Sequence, residues 1–274
     1  MEKNHNLGEI IDGMGRVMVA FSGGVDSTFV LKRAQQELGS SNVLAVVVAS
    51  ELFRREEFDG AVKLANEMGV PVYETEIKEL ENEAIVANTP DSWYHSKKMF
   101  YSHLNQLAQK MDYNYVLDGM IMDDLDDFRP GLKARTEAGV RSVLQEAKLY
   151  KSEIRTLSKQ MDLPVWNKPA SCSLASRIPY GTKLDKQKIY QVNEAEKFII
   201  KLGIDTVRVR HHGGVARIEV LPNQMEKVLE FSEKINFKLK SLGFSYSSVD
   251  LNGYRTGSMN EVLPGQEKQS GIAN

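Results

Sequence analysis

The sequence predicts an α/β protein, a parallel sheet flanked by helices, followed by a smaller C-terminal α+β portion. Four short apolar runs, residues 17–21, 43–49, 70–73 and 115–117, have the length and β-branched content of buried strands. Helical patterns separate them, and parallel strands need such crossovers. After Pro179 the texture changes to helix, strand pair, helix and strand, which marks the second part.

In chain order, the first strand runs into "SGGVDS", and a helix is expected from Ser27 onward. Ser22, Gly23 and Gly24 form a loop without bulky Cβ groups, so successive backbone N–H groups can converge on an anion at the positive end of that helix. Ser22 and Ser27 add hydroxyls. No lysine follows the glycines and their spacing matches neither of the common nucleotide loops, so this is a phosphate loop of another kind. The segments "STFVLKRAQQELG" and "REEFDGAVKLANEMG" place apolar residues at helical spacing and end in glycine, as helices commonly do. In parallel sheets ligands lie beyond the carboxyl ends of the strands, where Ser22, Ser50 and "DGMIMDD", including Gly119, are expected to emerge. Asp123, Asp124, Asp126 and Asp127 read either as a solvated acidic loop or as a source of one or two metal ligands.

Cys172 lies in "NKPASCSLASRIPYG", a stretch punctuated by Pro169, Pro179 and Gly181 and lacking periodicity. Lys168 and Arg177 are the nearby cations expected to favour its thiolate. A domain boundary near Tyr180 divides the chain into 1–180 and 181–274. In the strand "VRVR" residues two apart share a face, so Arg208 and Arg210 point together while Val207 and Val209 enter the core. His211 and His212 precede Gly213 and Gly214 at an expected hairpin turn, and read as its solvated tip.

Composition sets outer bounds. The 274 residues are 42% hydrophobic and 26% charged, the balance of a globular chain, and the net charge of -2 provides no basic field for nucleic acid. No apolar run approaches membrane-spanning length and no export segment stands at the N-terminus, so a cytoplasmic location without membrane or nucleic-acid partners is expected. Cys172 is the single cysteine, which excludes an internal disulfide and a multi-thiolate cluster.

The pattern S-G-G-x-D-S after a first buried strand resembles the PP-loop of ATP pyrophosphatases. Together with "NTPDSWYHSKKMFYSHLN", "LDGMIMDDLDDFRPGLKAR", "KPASCSLASRIPYGT" and "TVRVRHHGGVARIEV", it makes the chain, from about Val17 to about Arg255, similar to the ATP-dependent sacrificial sulfur transferases, the LarE family. That family makes the nickel-pincer nucleotide of lactate racemase. The resemblance implies an adenine nucleotide alpha hydrolase-like sheet, with ATP and Mg2+ as cofactors and a pyridinium-3,5-dicarboxylate mononucleotide as substrate. A carboxylate is adenylated with release of pyrophosphate, Cys172 takes the acyl group as a thioester, and elimination leaves dehydroalanine. Ser22, Gly23, Gly24, Asp26 and Ser27 would hold the ATP phosphates, with Asp26 facing the metal and Ser50 and Gly119 near the nucleotide. Arg208, Arg210, Trp93 and Arg177 are assigned to substrate, Arg208 and Arg210 as anchors of its phosphate, although those two could instead pair across the hairpin with an acidic residue such as Glu219, and Trp93 reads equally as a core residue. Glu219, and more weakly Glu196, are carried over as metal or substrate-site carboxylates, Glu196 otherwise reading as a surface glutamate. A homo-oligomer, a hexamer in the family, is also implied. Relatives with extra cysteines hold an iron–sulfur cluster, which this chain cannot. Alternatives are a tRNA-thiolating or amide-forming PP-loop ligase and an ATP-binding sensor without chemistry.

Overall fold

A computed structural model describes residues 2–125, 131–169, 171–255 and 257–263. The described residues form two compact units, the first within 2–79 and 93–171 and the second within 80–92 and 172–263.

The first unit is built on a four-stranded sheet in the order β3-β2-β1-β4, with β1 Val17–Ala20, β2 Val43–Ala49, β3 Val72–Glu76 and β4 Tyr115–Leu117 all parallel. Central β1 feeds two layers, as alternation requires. Val17 and Val19 pack with Phe29, Val30 and Leu144, whereas Met18 packs with Leu44, Tyr101 and Leu104. The helix Val25–Leu38 closes with Gly39 at φ +76°, and the helix Arg55–Glu67 follows β2. β3 begins two residues later than the expected 70–73 run. Val70 instead donates its N–H to Ala65 O at the end of the preceding helix, and Pro71, which has no N–H, joins only as an acceptor from Ala45 N. The chain moves outward from β1 to β3 and then crosses to β4 on the other side of β1, which puts a topological switch point between β1 and β4.

The second unit holds a sheet in the order β5-β6-β7, with β5 Val207–His212 antiparallel to β6 Val215–Val220, and β7 Tyr246–Val249 parallel to β6. Gly213 and Gly214 form the hairpin turn, with Gly213 at φ +60°. The helix Lys186–Lys201 is capped by Asp185, whose Oδ1 accepts from Lys188 N at 2.7 Å. Ala195, Ile199, Val207, Val209, Ile218 and Phe244 share its core. The long pattern after Pro222 is two helices, Met225–Glu230 and Ser232–Ser241, with Phe231 between them. Ile235 N bonds to Phe231 O across the bend, and Val228 before it and Ile235 and Leu239 after it are buried.

These units differ from the 1–180 and 181–274 partition. Residues 80–92 and 172–180 group with the C-terminal sheet: Gly181 N bonds to Asn88 O and Leu184 N to Val86 O, each at 2.9 Å, and Arg210 Nη1 of β5 bonds to Ser176 O at 2.7 Å. Hydrogen bonds over ninety residues of chain leave no compositional trace.

Candidate functional site

The first unit's site grows from the turn between β1 and the helix Val25–Leu38. Gly23 has φ +66°, and a Cβ there would lie 3.1 Å from Ala61 Cα, so glycine is needed both for conformation and for close approach. Gly24 is the N-cap in extended conformation. The hydroxyls of Ser22 and Ser27 lie 3.1 Å apart, and Gly24 N donates to Ser22 Oγ at 3.4 Å. From the β4 side, a Cβ on Gly119 would come within 2.9 Å of Ser27 N. The turns after β1 and β4 therefore meet at the switch point, around one helix N-terminus.

Asp26 Oδ2 pairs with Lys151 Nζ at 2.6 Å, while its Oδ1 is buried without a hydrogen-bond partner. A carboxylate oxygen in that condition fits a cation. Lys168 Nζ reaches Gly23 O at 3.2 Å and Glu57 Oε2 at 2.8 Å. These two ammonium groups stand beside a loop that lacks a lysine of its own, and they come from 125 and 145 residues away. Sequence reading missed Lys151 and assigned Lys168 to the cysteine. Its ammonium is committed to Glu57 and the loop carbonyl instead.

Ser50 Oγ donates to Glu79, a buried carboxylate that also accepts from Ser96 Oγ, and it accepts from Leu52 N at 3.0 Å. Asp124 is buried and accepts from Ile121 N at 2.9 Å, and Asp123 accepts from Lys151 N at 2.9 Å. Both carboxylates accept from backbone, but Asp123 is exposed, as a solvated loop would have it, while Asp124 is buried and departs from that expectation. Asp126 and Asp127 lie outside the described residues. Trp93 is half-buried on the helix Ser92–Lys110. Among the described residues no group of three or more His, Cys, Asp or Glu is arranged to hold a metal ion.

In the second unit Cys172 carries an exposed free thiol at the start of a tight turn. Arg177, the last residue of that turn, is 3% exposed. Its Nη1 donates to Ser176 Oγ at 2.7 Å, Ser173 O at 3.1 Å and Cys172 O at 3.4 Å, and Nε and Nη2 donate to the two oxygens of Glu196 at 2.9 and 3.1 Å. Glu196 is 0% exposed and accepts from Val209 N as well, at 2.9 Å. It is an internal joint between the cysteine turn and β5, not the surface glutamate expected. Arg210 is buried too. Its Nη1 donates to Ser176 O at 2.7 Å, and Nη2 to Glu219 Oε2 at 2.7 Å and Ser258 Oγ at 2.8 Å. Glu219 also receives Arg217 Nη2 at 3.1 Å, and Arg217 reaches on to Asp250.

Several assignments change accordingly. Arg177 and Arg210 hold the backbone of the cysteine turn, and the carboxylates of Glu196 and Glu219 are engaged by arginines. Arg208 and Arg210 do share a face of β5, but only Arg208 is half-buried. Its guanidinium lies 5.2 Å from the Tyr254 ring centroid, and burial, with the charge of Arg177, pushes its pKa below the usual arginine value. His211 is buried against Phe244 with Nε2 3.1 Å from Gln191 Oε1, which corrects the solvated-tip expectation; His212 is exposed. Strand alternation sends neighbouring histidines to opposite faces.

Residues 10–106 match the NAD synthase family. A pyridinium-3,5-bisthiocarboxylic acid mononucleotide synthase of Lactiplantibacillus plantarum is 51% identical over 261 residues, covering 95% of each chain. A Synechocystis protein described as uncharacterised is 37% identical, covering 95% of this chain and 98% of its own. A glutamine-hydrolysing GMP synthase subunit from Sulfurisphaera tokodaii is 26% identical over 69% of this chain and 54% of its own length, so that likeness concerns part of a larger protein. Among the described residues no helix is long and apolar enough to cross a membrane. Identity of 51% along 95% of both chains shows the family, and the chain belongs to the pyridinium-3,5-bisthiocarboxylic acid mononucleotide synthase family, the LarE sulfur transferases, whose ATP site is a PP-loop.

Proposed function

We propose that this enzyme is an ATP-dependent sulfur transferase acting on a pyridinium-3,5-dicarboxylate mononucleotide and that Cys172 is its sulfur donor. The observation that supports this most directly is the lone exposed thiol, on a turn whose backbone carbonyls are gripped by Arg177 and Arg210. A substrate carboxylate attacks the α-phosphorus of ATP and pyrophosphate leaves. The Cys172 thiolate attacks the acyl carbon and AMP leaves. Removal of the Cys172 α-proton then breaks the Cβ–S bond, leaving dehydroalanine in the chain and a thiocarboxylate on the ligand.

In this reading Ser22, Gly23, Gly24 and Ser27 receive the phosphates, with Gly119 closing the floor. Asp26 would hold magnesium through its unpartnered Oδ1, since magnesium is typically bound by one or two carboxylates together with substrate phosphates. The ion would neutralise the leaving pyrophosphate. Lys151 and Lys168 add positive charge beside it. Arg208 is the candidate phosphate anchor for the mononucleotide, with Trp93 a stacking candidate. Two sulfurs per ligand require two chains, which favours a homo-oligomer, a hexamer by family resemblance, working in the cytoplasm.

Intact-protein mass spectrometry tests the reading. Incubation with ATP, magnesium and the dicarboxylate mononucleotide should remove one hydrogen sulfide from the chain and release AMP and pyrophosphate. Cys172→Ser should still form the adenylate and make no thiocarboxylate. An unchanged mass in the parent chain alongside AMP production would favour the amide-forming reading, which spares Cys172.

A further inference from the structure

Asn88 is among the few non-glycine residues with positive φ, at +50°, and is 2% exposed. Its Nδ2 donates to Ile178 O at 3.2 Å, Pro179 O at 2.9 Å and Thr182 O at 3.1 Å. Three carbonyls can only accept, so the amide nitrogen must face them. The Asn88 carbonyl accepts from Gly181 N, and two residues earlier Val86 O accepts from Leu184 N. The segment after the cysteine turn is therefore held along its length by a strip of chain ninety residues upstream. Asn fits this place for two reasons. It tolerates left-handed backbone, and its amide has the two hydrogens that three converging carbonyls can share.

Arg177 and Arg210 secure residues 172–176 from within, through Cys172 O, Ser173 O and Ser176 O. Those arginine contacts end where the Asn88 contacts begin, at Ile178. We infer that Asn88 is a positioning residue for sulfur transfer: it pins the downstream root of the Cys172 turn, so the thiol is presented to the acyl adenylate in one place. This rests on the proposed sulfur-transfer reading. Attack within a bound complex depends on positional order, and a misplacement of about 1 Å can cost on the order of a hundredfold. Adenylation does not use the thiol and should not depend on Asn88.

Asn88→Asp keeps the shape and replaces the donor by a carboxylate facing three carbonyls, and Asn88→Gly keeps the left-handed backbone without the side chain. Both would be assayed for ATP–pyrophosphate exchange in the presence of the dicarboxylate mononucleotide and, by mass spectrometry, for loss of hydrogen sulfide. The expected result is exchange within about twofold of the parent, with sulfide loss slowed roughly tenfold to a hundredfold. Hydrogen exchange without substrate should quicken in residues 173–184 while β5 and β6 stay protected. Equal losses of exchange and transfer, an undiminished transfer rate, or failure of both variants to fold would each overturn the positioning role. If the parent chain itself loses no sulfur, the sulfur-transfer reading fails, and unaltered hydrogen exchange in residues 173–184 would separately refute the clamp.

Discussion

The phosphate loop and the cysteine turn are both short and polar, yet they are held in different ways. The loop is shaped mostly by its own sequence, with Lys151 and Lys168 reaching it from outside. Gly23 and Gly24 supply conformations, Ser22 and Ser27 bond to one another, and the helix that follows orients the N–H groups. The cysteine turn is held by its own Arg177 and by Arg210 of β5, each fixed in turn by a carboxylate. Arg177 is anchored by Glu196, Arg210 by Glu219 and Ser258, and each of these comes from a separate element. A loop that receives a diffuse polyanion can rely on local backbone dipoles. In the proposed sulfur transfer, a thiol that must meet one carbon atom would need a rigid mount, and buried charge pairs with satisfied hydrogen bonds supply rigidity.

The largest expected effect breaks the second arrangement. Arg177→Met would strand Glu196 as a buried carboxylate, and removing one partner of such a pair destabilises by about 3–5 kcal/mol. Chemical denaturation should show the loss in the C-terminal unit, and Arg177→Met with Glu196→Leu should recover much of it. No recovery would mean that the guanidinium matters for the turn's backbone and little for the charge.

Gly119→Ala tests the first arrangement. Its Cβ would meet the Ser27 backbone at 2.9 Å, where neither chain is a flexible tip, and overpacking of this kind costs about 1–3 kcal/mol. ATP affinity should fall while substrate affinity holds, measured by calorimetry. Unchanged ATP binding would separate the β4 turn from the phosphate site.

Arg208→Lys keeps the charge and loses the planar fork, so affinity for the mononucleotide should drop roughly tenfold to a hundredfold with ATP affinity unaffected. Arg210→Lys should act differently, lowering thermal stability through its lost bonds to Ser176 O and Ser258 Oγ. Equal behaviour of the two variants would erase the distinction drawn between them.

The smallest effect is in pH. Burial, aided by Lys188, depresses the pKa of His211 in the folded chain below its unfolded value of about 6.5, and partial desolvation with the charges of Arg217 and Arg210 does the same for the more exposed His212. The unfolded state thus takes up protons first as pH falls. The stability these neutral imidazoles contribute is complete above about pH 6.5 and is lost as pH drops from there through their folded values. Melting of His211→Gln should show a shallower decline over that window than the parent chain. An identical slope would place the titration elsewhere.

Legibility followed the distance between partners. β2 and β4 fall on their expected residues, because a buried parallel strand is a local run of apolar side chains. β3 shifted by two because Pro71 and the helix end at Val70 compete for the same residues. Ser22, Gly23, Gly24, Asp26 and Ser27 could be read as one loop, since six consecutive residues contain them all. The lysine partner of Asp26 could not, lying 125 residues away. For the arginines the residue types were apparent and their duties were not: alternation in "VRVR" puts Arg208 and Arg210 on one face, but which of them is buried depends on Glu219, Ser258 and the carbonyl of Ser176.

By itself, then, the sequence determined the parallel sheet, the phosphate loop, the single thiol and, through its motifs, the family, all of which are written in contiguous residues whose chemistry does not depend on neighbours in space. Only the tertiary structure decided that Glu196 and Glu219 serve arginines, that Lys151 and Lys168 attend the loop and that Asn88 belongs with the cysteine segment. The reason is physical: a charged side chain takes its role from the counter-charge and burial it meets after folding, and neither is encoded within a few residues of it.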